Sequence, residues 1–127
     1  MQKLTKAEEQ VMRVLWRLEK AYLKDVVDDF PAPKPAYTTI STVMRVLVKK
    51  EFIGYKSYGK VNEYYPLLSK EKYFGIQLKG MIKNFFDGSN RKFTSFFTEN
   101  QDLDLKELEE MKQLLEHKID ELKKKNE

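Results

Sequence analysis

The side chains best suited to chemistry are hydroxyls and cations crowded into one stretch, YTTISTVMRVLVKKEFIGYKSYGKVNEYYP, from Tyr37 to Pro66. If a helix begins near Thr38, Ile40, Val43, Met44 and Leu47 fall on its buried side. Thr38, Ser41, Thr42, Arg45 and Lys49 then face outward, with Thr39 in the first turn. Short hydroxyls at the start of a helix, followed one turn later by a guanidinium, hydrogen-bond well to base edges and phosphate oxygens. Directly behind them Tyr55, Ser57, Val61, Glu63 and Tyr65 alternate around Tyr58-Gly59-Lys60, which predicts a hairpin. It carries Lys60 at its tip and Lys56 and Tyr58 on its flank, all within reach of phosphate. A polar-faced helix beside a basic hairpin is the winged helix-turn-helix arrangement that enters the major groove of double-stranded DNA. Each residue also has a plainer reading. Thr38 serves equally as an N-cap, Thr39 as support for the first turn, Ser41 and Thr42 as surface, and the hairpin lysines as a solvated edge. Arg45 either reads guanine or holds phosphate, and its position alone does not decide between them.

Other chemistries find little support. The chain has no cysteine, which excludes disulfides, thiolate metal sites and a cysteine nucleophile. Its one histidine, His117, sits among charged residues, so histidine metal pairs are excluded and a Ser-His-Asp arrangement is not expected. Gly75 to Gly80 lacks the Lys-Ser/Thr of a phosphate-binding loop, and Glu109-Glu110 reads as a solvated helix face. No enzyme activity, cofactor or metal is expected. No apolar run approaches the roughly 18 residues of a membrane span, and no signal-peptide core stands at the N-terminus, so a cytoplasmic address is expected. The net charge of +4 is unevenly placed: residues 1–68 hold 12 Lys/Arg against 8 Asp/Glu, whereas residues 69–127 hold 12 of each. A polyanion-binding N-terminal unit joined to a neutral C-terminal one fits that asymmetry.

The elements that must position the polar helix follow from hydropathy. Thr5-Lys6-Ala7-Glu8 is a capping box that opens a first helix with Val11, Met12, Leu15, Trp16 and Leu18 on its apolar face. Leu23, Val26, Val27 and Phe30 mark a second, ended by Pro31, Pro33 and Pro35. Trp16, Tyr55, Tyr64 and Tyr65 are expected in the core or at a domain junction. From Ser69 a longer helix carries Phe74, Leu78, Met81, Ile82 and Phe85 and stops at Asp87-Gly88-Ser89. A short segment with Phe93, Phe96 and Phe97 follows, then a last helix from Asp104 with Leu105, Leu108, Met111, Leu115, Ile119 and Leu122 on one side. Helices this apolar and this few bury their stripes poorly alone, so pairing with a second copy is expected. The expected fold is mainly α with a small β-hairpin: a winged-helix DNA-binding domain at 1–68 and a three-helix dimerisation domain at 69–127.

Across nearly its whole length the chain resembles the penicillinase repressor (BlaI/MecI/CopY) family. The resemblance rests on Leu4-Thr5-Lys6-Ala7-Glu8, Val11-Met12, Leu15-Trp16, Tyr37-Thr38-Thr39-Ile40-Ser41-Thr42, Leu47-Val48-Lys49-Lys50, Gly59-Lys60, Tyr64-Tyr65-Pro66-Leu67, Asp87-Gly88-Ser89 and Leu108-Glu109-Glu110. It implies a dimeric winged-helix repressor on a palindromic operator, released in some members when a regulatory protease cuts the dimerisation region. That cut falls after an asparagine preceding a phenylalanine, and the corresponding place here is Phe96-Phe97, without asparagine. The copper-responsive branch carries clustered cysteines, which this chain lacks. Glu51 stands where the family usually has a glycine after the recognition helix. Two other readings remain open: a winged-helix scaffold for protein interaction, and a small-molecule inducer held among the aromatic residues of the C-terminal helices.

Overall fold

The structure, a computed structural model, describes residues 3–126. Its elements are α1 (Lys6–Leu18), β1 (Ala21–Tyr22), α2 (Leu23–Asp29), α3 (Tyr37–Lys49), β2 (Ile53–Tyr58), β3 (Val61–Pro66), α4 (Lys70–Phe85), α5 (Asn90–Asn100) and α6 (Leu105–Lys125). They group into two compact units, Met1–Met81 and Ile82–Glu127, so the division falls inside α4.

In the first unit α1 opens on the expected capping box. The Glu8 N–H donates to Thr5 Oγ1 at 3.2 Å, and the Thr5 N–H donates to Glu8 Oε1 at 2.8 Å. Val11, Met12 and Leu15 of α1, Val26 of α2, and Ile40, Met44 and Leu47 of α3 close over one core with Phe52 and Ile53. Val14 joins them, while Leu18 of the expected face stays exposed. Tyr73, outside the expected α4 stripe, is also buried. Its hydroxyl accepts from the Leu4 N–H at 3.0 Å, and its ring meets those of Trp16 and Phe52.

The sheet has a third strand beyond the expected hairpin. β1 pairs antiparallel with β3, Ala21 opposite Tyr64, giving the order β1-β3-β2. Two residues are too few to show alternation, so hydropathy gives no sign of this strand. Between β2 and β3 the loop is Gly59-Lys60, closed by Tyr58 opposite Val61, and Gly59 takes φ +65. A positive φ at the first loop position is what a two-residue hairpin turn requires of glycine.

The end of α3 explains the departure at Glu51. The Phe52 N–H donates to the Leu47 carbonyl at 3.0 Å and the Glu51 N–H to the Val48 carbonyl at 3.0 Å. This is the Schellman pattern, with Phe52 and Leu47 both buried beside it. Glu51 occupies the left-handed position at φ +66, where a Cβ is strained and glycine is not. Glu51→Gly is therefore expected to stabilise the protein by about 0.5–1 kcal/mol, after part of the gain is offset by glycine's freedom in the unfolded chain. Urea unfolding checks this, and a less stable variant would contradict it.

Among the described residues Glu8 is the single polar one in the buried set. Its Oε2 accepts from Lys50 Nζ at 2.7 Å, tying the start of α1 to the end of α3. Burial raises the Glu8 carboxyl pKa, but the Lys50 ammonium and the two Thr5 bonds outweigh it and hold it below the ordinary 4.5. A depressed folded pKa gives stabilisation that is complete above the unfolded value and is lost as pH falls through the folded one. Glu8→Gln is expected to destabilise by about 1–2 kcal/mol at neutral pH, with the gap to wild type narrowing below 4.5. Denaturant curves at several pH values test it; an equal gap at every pH would remove the ion pair from the account.

In the second unit α4 stops where Asp87-Gly88 was expected to stop it. Both residues have positive φ, 52 and 74, and the Gly88 N–H donates to the Ile82 carbonyl at 3.1 Å. The short Phe-containing segment proves to be an eleven-residue helix capped by Ser89. Phe93 and Phe96 lie 5.6 and 5.5 Å from Phe86, a residue outside the expected stripe, and Phe97 lies 6.0 Å from Phe93. Phe93 and Phe97 are thus half-buried within their own unit rather than fully available to a second copy. α6 opens on the expected Asp104/Glu107 box, and no residue along it is buried.

Candidate nucleic-acid interface

α3 begins after Ala36, whose backbone is extended and which makes no side-chain cap. Thr38 is the second helical residue, so the N-cap reading of its hydroxyl does not hold. The first turn carries no acidic residue, which leaves the positive end of the helix dipole unopposed locally. Thr38, Thr39, Thr42, Arg45 and Lys49 are exposed, and Ser41 is half-buried at the edge of the face. The Thr42 hydroxyl donates to the Thr38 carbonyl at 3.0 Å, so its proton is committed while its lone pairs and methyl group stay available. Among the described residues Arg45, Lys49, Lys56 and Lys60 make no ion pair with a carboxylate. Four cations without a carboxylate partner leave charge to meet an external anion.

The wing places Lys60 at the turn and Lys56 and Tyr58 on one face of β2, with Lys56 Nζ 5.5 Å from the centre of the Tyr58 ring. All three are exposed. Of the aromatics expected inside, Tyr64 packs half-buried against the core and Trp16 donates its Nε1 proton to the Leu68 carbonyl at 2.8 Å. Tyr55 and Tyr65 are instead 47% and 37% exposed: Tyr55 lies two residues beyond buried Ile53, and Tyr65 follows Tyr64 and so faces the other side of the sheet. Tyr65 still has a local task. Its ring lies over Gly54, where a Cβ would approach it to 3.0 Å.

Two exposed residues of α3 lie outside the expected set, Tyr37 at 54% and Val46 at 38%. Val46 follows Thr42 by four residues, and that spacing was the signal available for it. The first unit also has an open groove of about 760 Å³ lined by Arg13, Trp16, Arg17, Pro66, Leu67 and Lys70 among others. Its arginines are already paired, Arg13 with Glu9 and Arg17 with Asp29. Among the described residues no helix is long and apolar enough to cross a membrane.

Of the residues expected to pair two copies, Phe74, Met81, Phe85, Phe96, Leu108, Leu115, Ile119 and Leu122 are exposed. Leu78 and Met111 are half-buried and Ile82 is buried.

With this geometry in view, the sequence matches the family model for the penicillinase repressor over residues 4–117. It is similar to the methicillin resistance regulatory protein MecI of Staphylococcus aureus (strain N315), 28% identical over 116 residues that cover 91% of this chain and 94% of that one. MecI of Mammaliicoccus sciuri is 27% identical over the same length and the same shares of each chain. Among solved structures, the DNA binding domain of the repressor BlaI is similar with a TM-score of 0.50 and 26% identity, covering 57% of this chain and 94% of that one.

Proposed function

Because the chain belongs to the penicillinase repressor family and is thus a DNA-binding transcriptional repressor, we propose that it acts in the cytoplasm as a homodimer on a palindromic operator. Residues 1–68 read the DNA and residues 69–127 hold the two copies together. The observation that carries this reading is the exposed face of α3, where hydroxyls and unpaired cations stand together without an acidic neighbour in the first turn. Two such helices related by a two-fold axis enter successive major grooves about 34–36 Å apart, which is why the operator is a palindrome. One half-site makes few contacts, so separating the subunits releases the DNA. A change in the dimer region, or its cleavage by a regulatory protease, acts at that point.

Titration of the protein onto the DNA upstream of its own gene, across a range of salt concentrations, tests the proposal. Lys49, Lys56 and Lys60 from each protomer neutralise about six phosphates, so the plot of log affinity against log salt is expected to fall with a slope of about −5. A flat salt response would sink the idea.

A further inference from the structure

We propose that Val46 and the methyl group of Thr42 form an apolar base-reading row on α3 that recognises the C5-methyl groups of thymines. The inference rests on the DNA-reading role of α3 and adds the chemical class of base that it selects.

A single exposed valine is ordinary on a protein surface, so the 38% exposure of Val46 is only the starting point. Its place supplies the rest. Val46 and Thr42 are one turn apart and adjacent on the helix surface. The Thr42 hydroxyl donates to the Thr38 carbonyl at 3.0 Å, which fixes the rotamer and commits its only proton. What Thr42 offers a partner as an apolar group is its methyl, next to the two methyls of Val46. Arg45 and Lys49, also one turn apart, form a parallel cationic row beside them, and both are exposed. The outer face of α3 is therefore divided lengthwise, with one row for anionic or acceptor groups and one for apolar groups.

In the major groove only thymine presents a methyl group. Against cytosine the Val46 end of the row covers the N4 amino donor without accepting from it, and against a purine the row covers acceptors without donating to them. The row thus favours thymine by fit and disfavours the other bases by stranding their polar atoms. Lys49, a point charge beside the row, meanwhile holds the helix to phosphate whichever base is present.

The full-length protein is used to enrich duplexes from a randomised pool of about 30 base pairs. The enriched duplex is then remade with each thymine in turn replaced by deoxyuridine, which removes only the C5-methyl. Wild type is expected to lose affinity about threefold to fivefold at one or two positions in each half-site. Val46→Ala is expected to lose less at one of those positions while keeping the wild-type salt slope, since no phosphate contact is touched. Because Val46 is exposed, the variant should melt with wild type, so reduced discrimination is not a folding defect. Enrichment with uniform tolerance of deoxyuridine overturns the inference and leaves the DNA reading standing. Failure to enrich any sequence overturns the DNA reading itself, and this inference with it.

Discussion

Ile119→Asp is expected to give a monomer that binds the enriched duplex at least about a hundredfold more weakly than wild type. The reason lies in α6. Leu108, Met111, Leu115, Ile119 and Leu122 recur at helical spacing along its 21 residues, yet no residue of α6 is buried. Leu115 is 62% exposed, Ile119 50% and Leu122 47%. Moving each of these side chains from half exposed to buried contributes on the order of 1 kcal/mol, and two-fold symmetry counts every contribution twice. A carboxylate within that row must lose its water without gaining a cation, which opposes association strongly. Equilibrium sedimentation reports the assembly state. Fluorescence of Trp16, the one tryptophan and a member of the first unit, reports whether the DNA-reading fold survives.

A control separates this row from general stickiness. Leu114 is 71% exposed, more than Leu115, but a step of one residue turns it about 100° around the helix and off the row. Leu114→Asp is expected to leave the dimer largely intact. A dimer that survives Ile119→Asp with full DNA affinity would remove α6 from the interface.

Elements with strong periodicity and side-chain caps were legible in the sequence. Thr5-Glu8 and Asp104-Glu107 each satisfied a helix terminus as expected, and Asp87-Gly88 ended α4, because these signals are local and depend on a few consecutive residues. What sequence spacing missed depended on partners distant in the chain. β1 exists through pairing with β3, Tyr73 is buried through Leu4, Trp16 and Phe52, and Phe86 gathers the phenylalanines of α5. Tyr55 and Tyr65 differ the other way, since alternation identifies the strand but neither which face the core covers nor how far it extends beneath. The polar face of α3 came through almost whole, because the buried Ile40, Met44 and Leu47 fix which side remains outside. Thr42 is a subtler case. Its exposure follows from spacing, but the bond to the Thr38 carbonyl, which decides what it offers a partner, does not.

Arg45→Ala is expected to weaken binding to the enriched duplex about a hundredfold or more, with the fold unchanged. Arg45 is exposed, one turn before Lys49 and beside the Thr42 row, and among the described residues no carboxylate competes for its guanidinium. A bidentate arginine contact to a base contributes about 1–3 kcal/mol of discrimination, and a homodimer makes the contact twice, so losses of roughly tenfold or more per half-site multiply. Lys60→Ala provides the contrast. A lysine at the hairpin tip that meets only phosphate should weaken enriched and random duplexes alike and lower the salt slope by about one for each copy. The ratio of affinities for enriched and random DNA therefore assigns the role left open at Arg45: a ratio that collapses marks a base reader, and a ratio that holds while both affinities fall marks a phosphate clamp. Wild-type affinity in Arg45→Ala would take the guanidinium out of recognition and leave it to the hydroxyls, Val46 and Lys49 of the same face.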